Sequence, residues 1–216
     1  MGDSTRLTDL TLGALTERLA SSDPVPGGGS AAALAGAMGA ALVAMVAELT
    51  NGRPDSAQHQ TTIAELRAAA LARRALLLDL AEEDATAYES VVHARRMPKE
   101  SEAEREARAA ALRSAMVDAA RVPLRTAVVA AEVLYLAERM APIGNRNAVS
   151  DAGVAALLAA AALRGALLNV RINLPYLPAD DPLRISAAGE VSRLESLAAA
   201  HERDTLAAVD ARLAPS

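Results

Sequence analysis

The sequence predicts an all-α protein, a single-domain bundle of about six helices with a long third helix and two Ala/Gly-rich central helices. Three observations carry this reading. Hydrophobic residues make up 52% of the 216 positions, yet aromatics only 1%, with three Tyr, no Phe and no Trp. Packing therefore falls to alanine and leucine, both strong helix formers. The β-branched and aromatic side chains that strands favour are scarce apart from a few valines. Finally, no low-complexity linker divides the chain, whose length suits one large core.

The first helix is expected from about Thr8 to Ala20, stopping before Asp23-Pro24-Val25-Pro26. The second opens at Ser30 and ends near Asn51-Gly52, a C-terminal signal reinforced by Pro54. The third starts near Ser56 and continues to about Arg96, where Pro98 stops it. The fourth begins with the capping box Ser101-x-x-Glu104. Pro123 is expected to kink or split it before helix resumes to Met140. The fifth runs from Ser150-Asp151 to about Asn173, ahead of Pro175. The sixth takes Asp181 as N-cap and Pro182 as its first residue, and ends near Leu213.

Small residues recur at four-residue spacing in Ala32, Gly36, Ala40 and Ala44, and Gly153, Leu157, Ala161 and Gly165 show the same spacing. Such spacing lets helix backbones approach closely. Each of these helices follows a polar loop, PGGGS or GNRNAVSD, and a crossing of the two could bring both loops to one site.

Composition excludes several function classes. A net charge of −5 without aromatic platforms argues against nucleic-acid binding. The absence of cysteine removes disulfides, thiolate nucleophiles and Cys-based zinc sites, and is compatible with the expected cytoplasmic location. His59, His93 and His201 stand far apart, so no histidine metal site is expected, and all three read as solvated. MGDSTRLTDL lacks a basic region followed by an apolar core and does not read as a signal peptide. Ala31–Ala47 carries no charge, but nine of its 17 residues are Ala and two are Gly, and no aromatic belt or basic cluster flanks it. It reads as a buried helix, not a membrane span.

Three stretches can carry chemistry. PGGGS (26–30) is either a turn feeding an N-cap at Ser30 or a loop whose free amides face an anionic ligand. It has no Walker lysine and follows no strand, which disfavours an ATPase or dehydrogenase. Asp84 falls in the apolar stripe Ile63, Leu66, Ala70, Leu77, Leu80, Tyr88 and Val91, broken only by Arg73. A carboxyl there either pairs with an arginine or is desolvated, which raises its pKa toward the range of a neutral-pH acid or base. GNRNAVSD (144–151) joins Asn145, Asn147, Ser150 and Asp151, able to read a heterocycle's edge or to cap a helix. Asn169 and Asn173 share one helix face.

Together these pieces resemble the cyclodeaminase/cyclohydrolase family, which joins the cyclodeaminase half of formiminotransferase-cyclodeaminase to stand-alone methenyltetrahydrofolate cyclohydrolases. The matching stretches are PVPGGGSAAALAGAMGAAL (24–42), EEDATAY (82–88), VP (122–123) and GNRNAVSDAGVAALLAAAALRGALLNVRIN (144–173). The chain departs at NGRPDSAQHQ (51–60), where the family usually has a lysine-rich, tyrosine-containing stretch, and at Glu48, commonly Asn in relatives. The resemblance implies a helical homodimer acting on a one-carbon tetrahydrofolate, with no metal or redox cofactor and no nucleic-acid or membrane partner. A separate formiminotransferase could feed it.

It also implies Asp84 as the catalytic carboxyl. Gly27, Gly28, Gly29, Ser30, Tyr88, Asn145, Asn147, Ser150, Asp151, Asn169 and Asn173 are then candidate substrate-binding residues. In a formimidoyltetrahydrofolate cyclodeaminase, N10 of 5-formiminotetrahydrofolate attacks the formimino carbon, and Asp84 protonates the departing ammonia. In a methenyltetrahydrofolate cyclohydrolase the same group activates water. A non-catalytic scaffold or folate sensor on the same fold would instead pair Asp84 with an arginine.

Overall fold

Alanine sets how closely these helices pack. In the computed structural model, which describes residues 6–214, six α-helices follow one another and no strand is present among those residues. They are α1 Leu12–Leu19, α2 Gly28–Thr50, α3 Gln60–Arg96, α4 Glu102–Met140, α5 Val149–Asn173 and α6 Pro182–Leu213. The first five residues of the stretch read for a signal peptide lie outside the described range.

Helix α2 is held between α3 and α5, while α4 packs across α3, α5 and α6. Gly36 marks the middle of this sandwich: a Cβ there would lie 3.2 Å from both Ala162 Cβ on α5 and Leu77 Cδ1 on α3. Gly39 brings the α2 and α5 backbones closest, since its Cβ would lie 2.9 Å from the Ala155 carbonyl oxygen. Larger side chains fill the remaining depth, among them Ile63, Leu77, Leu80, Leu134, Leu163 and Leu167, all fully buried. Gly39→Val is expected to lower Tm by roughly 5 °C in a thermal melt, because overpacking costs about 1–3 kcal/mol.

The expected line on α5 holds only at Gly165, where a Cβ would lie 3.4 Å from Ala32 Cβ on α2, and is otherwise corrected. Gly153 backs onto Val209 of α6, and Leu157 and Ala161 are exposed. Residues 155, 159 and 162 meet α2 instead. In a helix that is mostly alanine, spacing alone does not single out one seam.

Helix ends follow local chemistry. The Ser101–Glu104 capping box is complete, and Asp181 accepts from the Leu183 amide ahead of Pro182. Residues 7–9 form only a 3-10 turn, and α1 starts after Thr11, whose hydroxyl caps it. The Ser56 start of the third helix resolves into a 3-10 turn, Pro54–His59, ahead of α3. Pro123 does not split α4, which runs unbroken through it for 39 residues.

By length and composition α2 and the segment 146–176 are each apolar enough to cross a membrane, but 61% and 56% of their apolar windows are buried in the bundle. His201 is not solvated. It is half-buried and pairs with Glu138, with Tyr135 edge-on at 5.8 Å.

Candidate active site

The glycine loop delivers a helix start without a side-chain cap. Gly27 is the N-cap and Gly28 the first helical residue, so the amides of Gly28, Gly29 and Ser30 have no intrahelical acceptor. Ser30 was the expected cap; it sits one turn deeper, fully buried. Its Oγ lies 2.9 Å from the Ala81 carbonyl oxygen and 3.0 Å from Asp84 Oδ2.

Asp84 occupies the cap's place from across the interface. A Cβ on Gly29 would lie 2.5 Å from Asp84 Cγ and closer still to Oδ1. Glycine at 29 is therefore what lets an α3 carboxyl rest against the α2 start. Burial pushes the Asp84 carboxyl above the usual aspartate range, while the Ser30 hydroxyl and amide pull it back. The Ser30 hydroxyl has one proton and two acceptors in reach. When that proton goes to Ala81, the contact with Oδ2 needs a proton from Asp84. Both bonds are satisfied at once only by the neutral acid.

No ion pair reaches Asp84 among the described residues. Its neighbours are engaged elsewhere: Glu82 accepts from the Thr8 amide and pairs with Arg6, and Glu83 pairs with Arg125. The arginine pairing expected of a scaffold is absent there.

A cleft of about 190 Å³ opens at Asp84, lined by Pro24, Val25, Gly27, Gly28, Gly29, Tyr88, Ala119, Asn169 and Asn173. Asn169 faces Gly28, its Nδ2 lying 3.6 Å from where a Gly28 Cβ would stand. Its amide donates to the Gly165 carbonyl, and Asn173 Nδ2 donates to the carbonyls of Ala119 (2.7 Å) and Asn169 (3.0 Å). Tyr88 is 43% exposed at the rim. Broader grooves of about 450 Å³ run between α3 and α4, but there Asp118 pairs with Arg121 and Glu83 with Arg125. The small cleft, by contrast, holds an unpaired carboxyl beside fixed amides.

Within one chain the GNRNAVSD stretch does not join this cleft. Helices α2 and α5 run antiparallel, so the start of α2 meets the end of α5, and the start of α5 meets the end of α2. The two loops thus stand at opposite ends of a 23-residue helix, about 33 Å apart. Asn145 donates from its backbone to Thr50 Oγ1 and from Nδ2 to the Leu49 carbonyl, and its Oδ1 accepts from the Asn147 amide. Arg146 and Arg212 clasp this turn to the end of α6. Ser150 and Asp151 lie in the first turn of α5. The departing residue Glu48 is at this far end too, paired with Arg67 at 2.6 Å.

Sequence reasoning passed over Pro24, Val25 and Ala119 as cleft walls. Ala119 had one signal, Pro123 four residues later, which leaves its carbonyl without a helical donor.

Comparison with known proteins places this geometry. A methenyltetrahydrofolate cyclohydrolase of Methylorubrum extorquens is 42% identical over 189 residues, 88% of this chain and 89% of that protein. A formimidoyltransferase-cyclodeaminase of Rattus norvegicus is 32% identical over 211 residues, 98% of this chain but 39% of that longer protein. The crystal structure of a formiminotetrahydrofolate cyclodeaminase from Thermotoga maritima superposes with a TM-score of 0.85 at 28% identity, covering 95% of this chain and 98% of that one. Residues 11–191 match the family described as formiminotransferase-cyclodeaminase, and the chain belongs to it.

Proposed function

We propose that this chain is a formimidoyltetrahydrofolate cyclodeaminase, closing 5-formiminotetrahydrofolate to 5,10-methenyltetrahydrofolate with release of ammonia. The observation that carries the reading is Asp84, a carboxyl with no ion-pair partner among the described residues, which faces a cleft and whose pKa burial raises. N10 attacks the formimino carbon, forming the new C–N bond, and the N10 proton passes to the imino nitrogen. Asp84 then gives its proton to the amine of the tetrahedral intermediate, the C–N bond to that amine breaks, and ammonia leaves. The methenyl cation is left beside the Asp84 carboxylate. A cleft below the ~300 Å³ at which ligand pockets begin takes the reacting end of a folate and leaves its tail outside. No cofactor beyond the tetrahydrofolate enters this chemistry.

A second reading is favoured by the 42% identity to a cyclohydrolase of similar length. Asp84, as carboxylate, would accept a proton from water attacking the methenyl carbon. One spectrophotometric experiment separates the two. Methenyl product appearing from 5-formiminotetrahydrofolate with ammonia supports the cyclodeaminase. Accelerated loss of preformed methenyltetrahydrofolate to the 10-formyl form supports the cyclohydrolase, and silence in both overturns the enzyme reading. A separate formiminotransferase is the proposed source of substrate, and the cytoplasm the proposed location.

The same reading includes a homodimer. Met38, Met45 and Leu49 on α2, with Val154, Leu157, Leu168 and Ile172 on α5, turn apolar side chains outward at helical spacing. A two-fold axis across the middle of that face sets the Asn145–Asp151 turn of one copy toward the glycine loop of the other. Those residues then reach substrate across the interface. Met38→Glu combined with Leu168→Glu is expected to give a monomer in sedimentation velocity and to lose turnover with the dimer. A fully active monomer would show that each chain holds a complete site.

A further inference from the structure

Proline inside a helix is costly: it removes one N–H, and its ring pushes the carbonyl four residues back outward. Pro123 lies in the interior of α4, fully within the buried face, and is kept there without splitting the helix. The carbonyl it leaves without a helical donor belongs to Ala119, a wall of the cleft. That oxygen accepts instead from Asn173 Nδ2 at 2.7 Å. The second Nδ2 hydrogen of Asn173 goes to the Asn169 carbonyl at 3.0 Å. Two carbonyls thus consume both amide hydrogens and fix which way the amide points, since the reverse orientation would set oxygen against oxygen twice. Asn173 Oδ1 has no protein donor among the described residues, and Asn173 lines the cleft.

We propose that Pro123 is a positioning residue, which frees the Ala119 carbonyl to lock Asn173 so that Oδ1 meets the ligand as a fixed acceptor. Resting on the folate reading, this assigns Oδ1 to an N–H of the reduced pterin, a ring nitrogen or the exocyclic amine. A ligand offering only a carbonyl at that point is rejected, because the amide has no hydrogen left to give. Pro123 itself touches no reacting atom.

Pro123→Ala restores the N–H and lets the Ala119 carbonyl turn back into the helix. Tm is expected to hold or rise, because the proline's cost is removed, whereas KM rises about three- to tenfold, the worth of one hydrogen bond, with kcat changed less. Asn173→Ala is expected to raise KM at least as much, and the double variant no further, because Pro123 acts only through Asn173. Additive effects, or an unchanged KM in Pro123→Ala, overturn the proposal. Isotope-edited NMR of ligand-free protein keeps this test separate from the folate reading. The Asn173 side-chain NH₂ signal should be slow to exchange in the wild type and fast in Pro123→Ala. Equal exchange in both overturns the lock whatever the ligand. Loss of protection in a protein that handles no folate supports the lock and sinks the folate assignment alone.

Discussion

Asp84→Asn is expected to lose turnover by about 10²–10⁴-fold, the contribution of a positioned general acid, while still binding a stable reduced folate such as 5-formyltetrahydrofolate. The same substitution should make the protein more stable near neutral pH. Burial raises the Asp84 pKa, so the native chain binds that proton more tightly than the unfolded chain does. The group therefore favours the fold below the unfolded aspartate value, and the advantage is lost as pH rises through the folded one. Above that folded value the ionised carboxylate burdens the wild type, and a neutral amide does not. Asparagine also keeps the local bonds, with an N–H for Ser30 Oγ and an oxygen for the Ser30 amide. Melting curves against pH should show the variant ahead at about pH 8 and the gap closing toward about pH 4. The wild-type rate of ammonia release should fall as pH climbs through the Asp84 pKa. A variant with normal turnover would end the catalytic assignment.

Gly29→Ala should lower kcat by about 10²-fold with little change in Tm. The added Cβ would overlap the Asp84 carboxyl, so either the carboxyl swings away or the first turn of α2 shifts. Displacement of about 1 Å is enough to spoil proton transfer. Stability is spared because alanine is the better helix former, by up to about 1 kcal/mol. Gly28→Ala is the control: its Cβ would meet Asn169 Nδ2 at 3.6 Å, an ordinary contact, and a milder loss is expected. Equal losses at both positions would show that the loop matters as a whole and not through this one approach.

Much of this was legible in the sequence. A single carboxyl in register with buried leucines singles out Asp84, because helical period alone decides which face it shares. The ends of α4 and α6 were legible because the Ser101–Glu104 and Asp181–Pro182 signals act over a single turn. What failed depended on long-range arrangement. The glycine loop and GNRNAVSD each precede a small-residue helix, and nothing local says that those helices run antiparallel and so part the loops within one chain. Ser30 was misread as a cap because its partner, Asp84, is 54 residues away. Ala119 went unseen because it contributes a backbone oxygen, which carries no side-chain signature.

The meeting of Asp84 with the α2 start has one further consequence. When Asp84 gives up its proton, negative charge is created where three amides lack intrahelical acceptors and the helix presents about half a positive charge. Burial of the Asp84 carboxyl favours the neutral acid before transfer, and the helix end favours the anion after it. Neither form is held in a deep well. A group that must be reloaded with a proton on every cycle needs this balance, and in this fold the balance comes from the absence of a side chain at position 29.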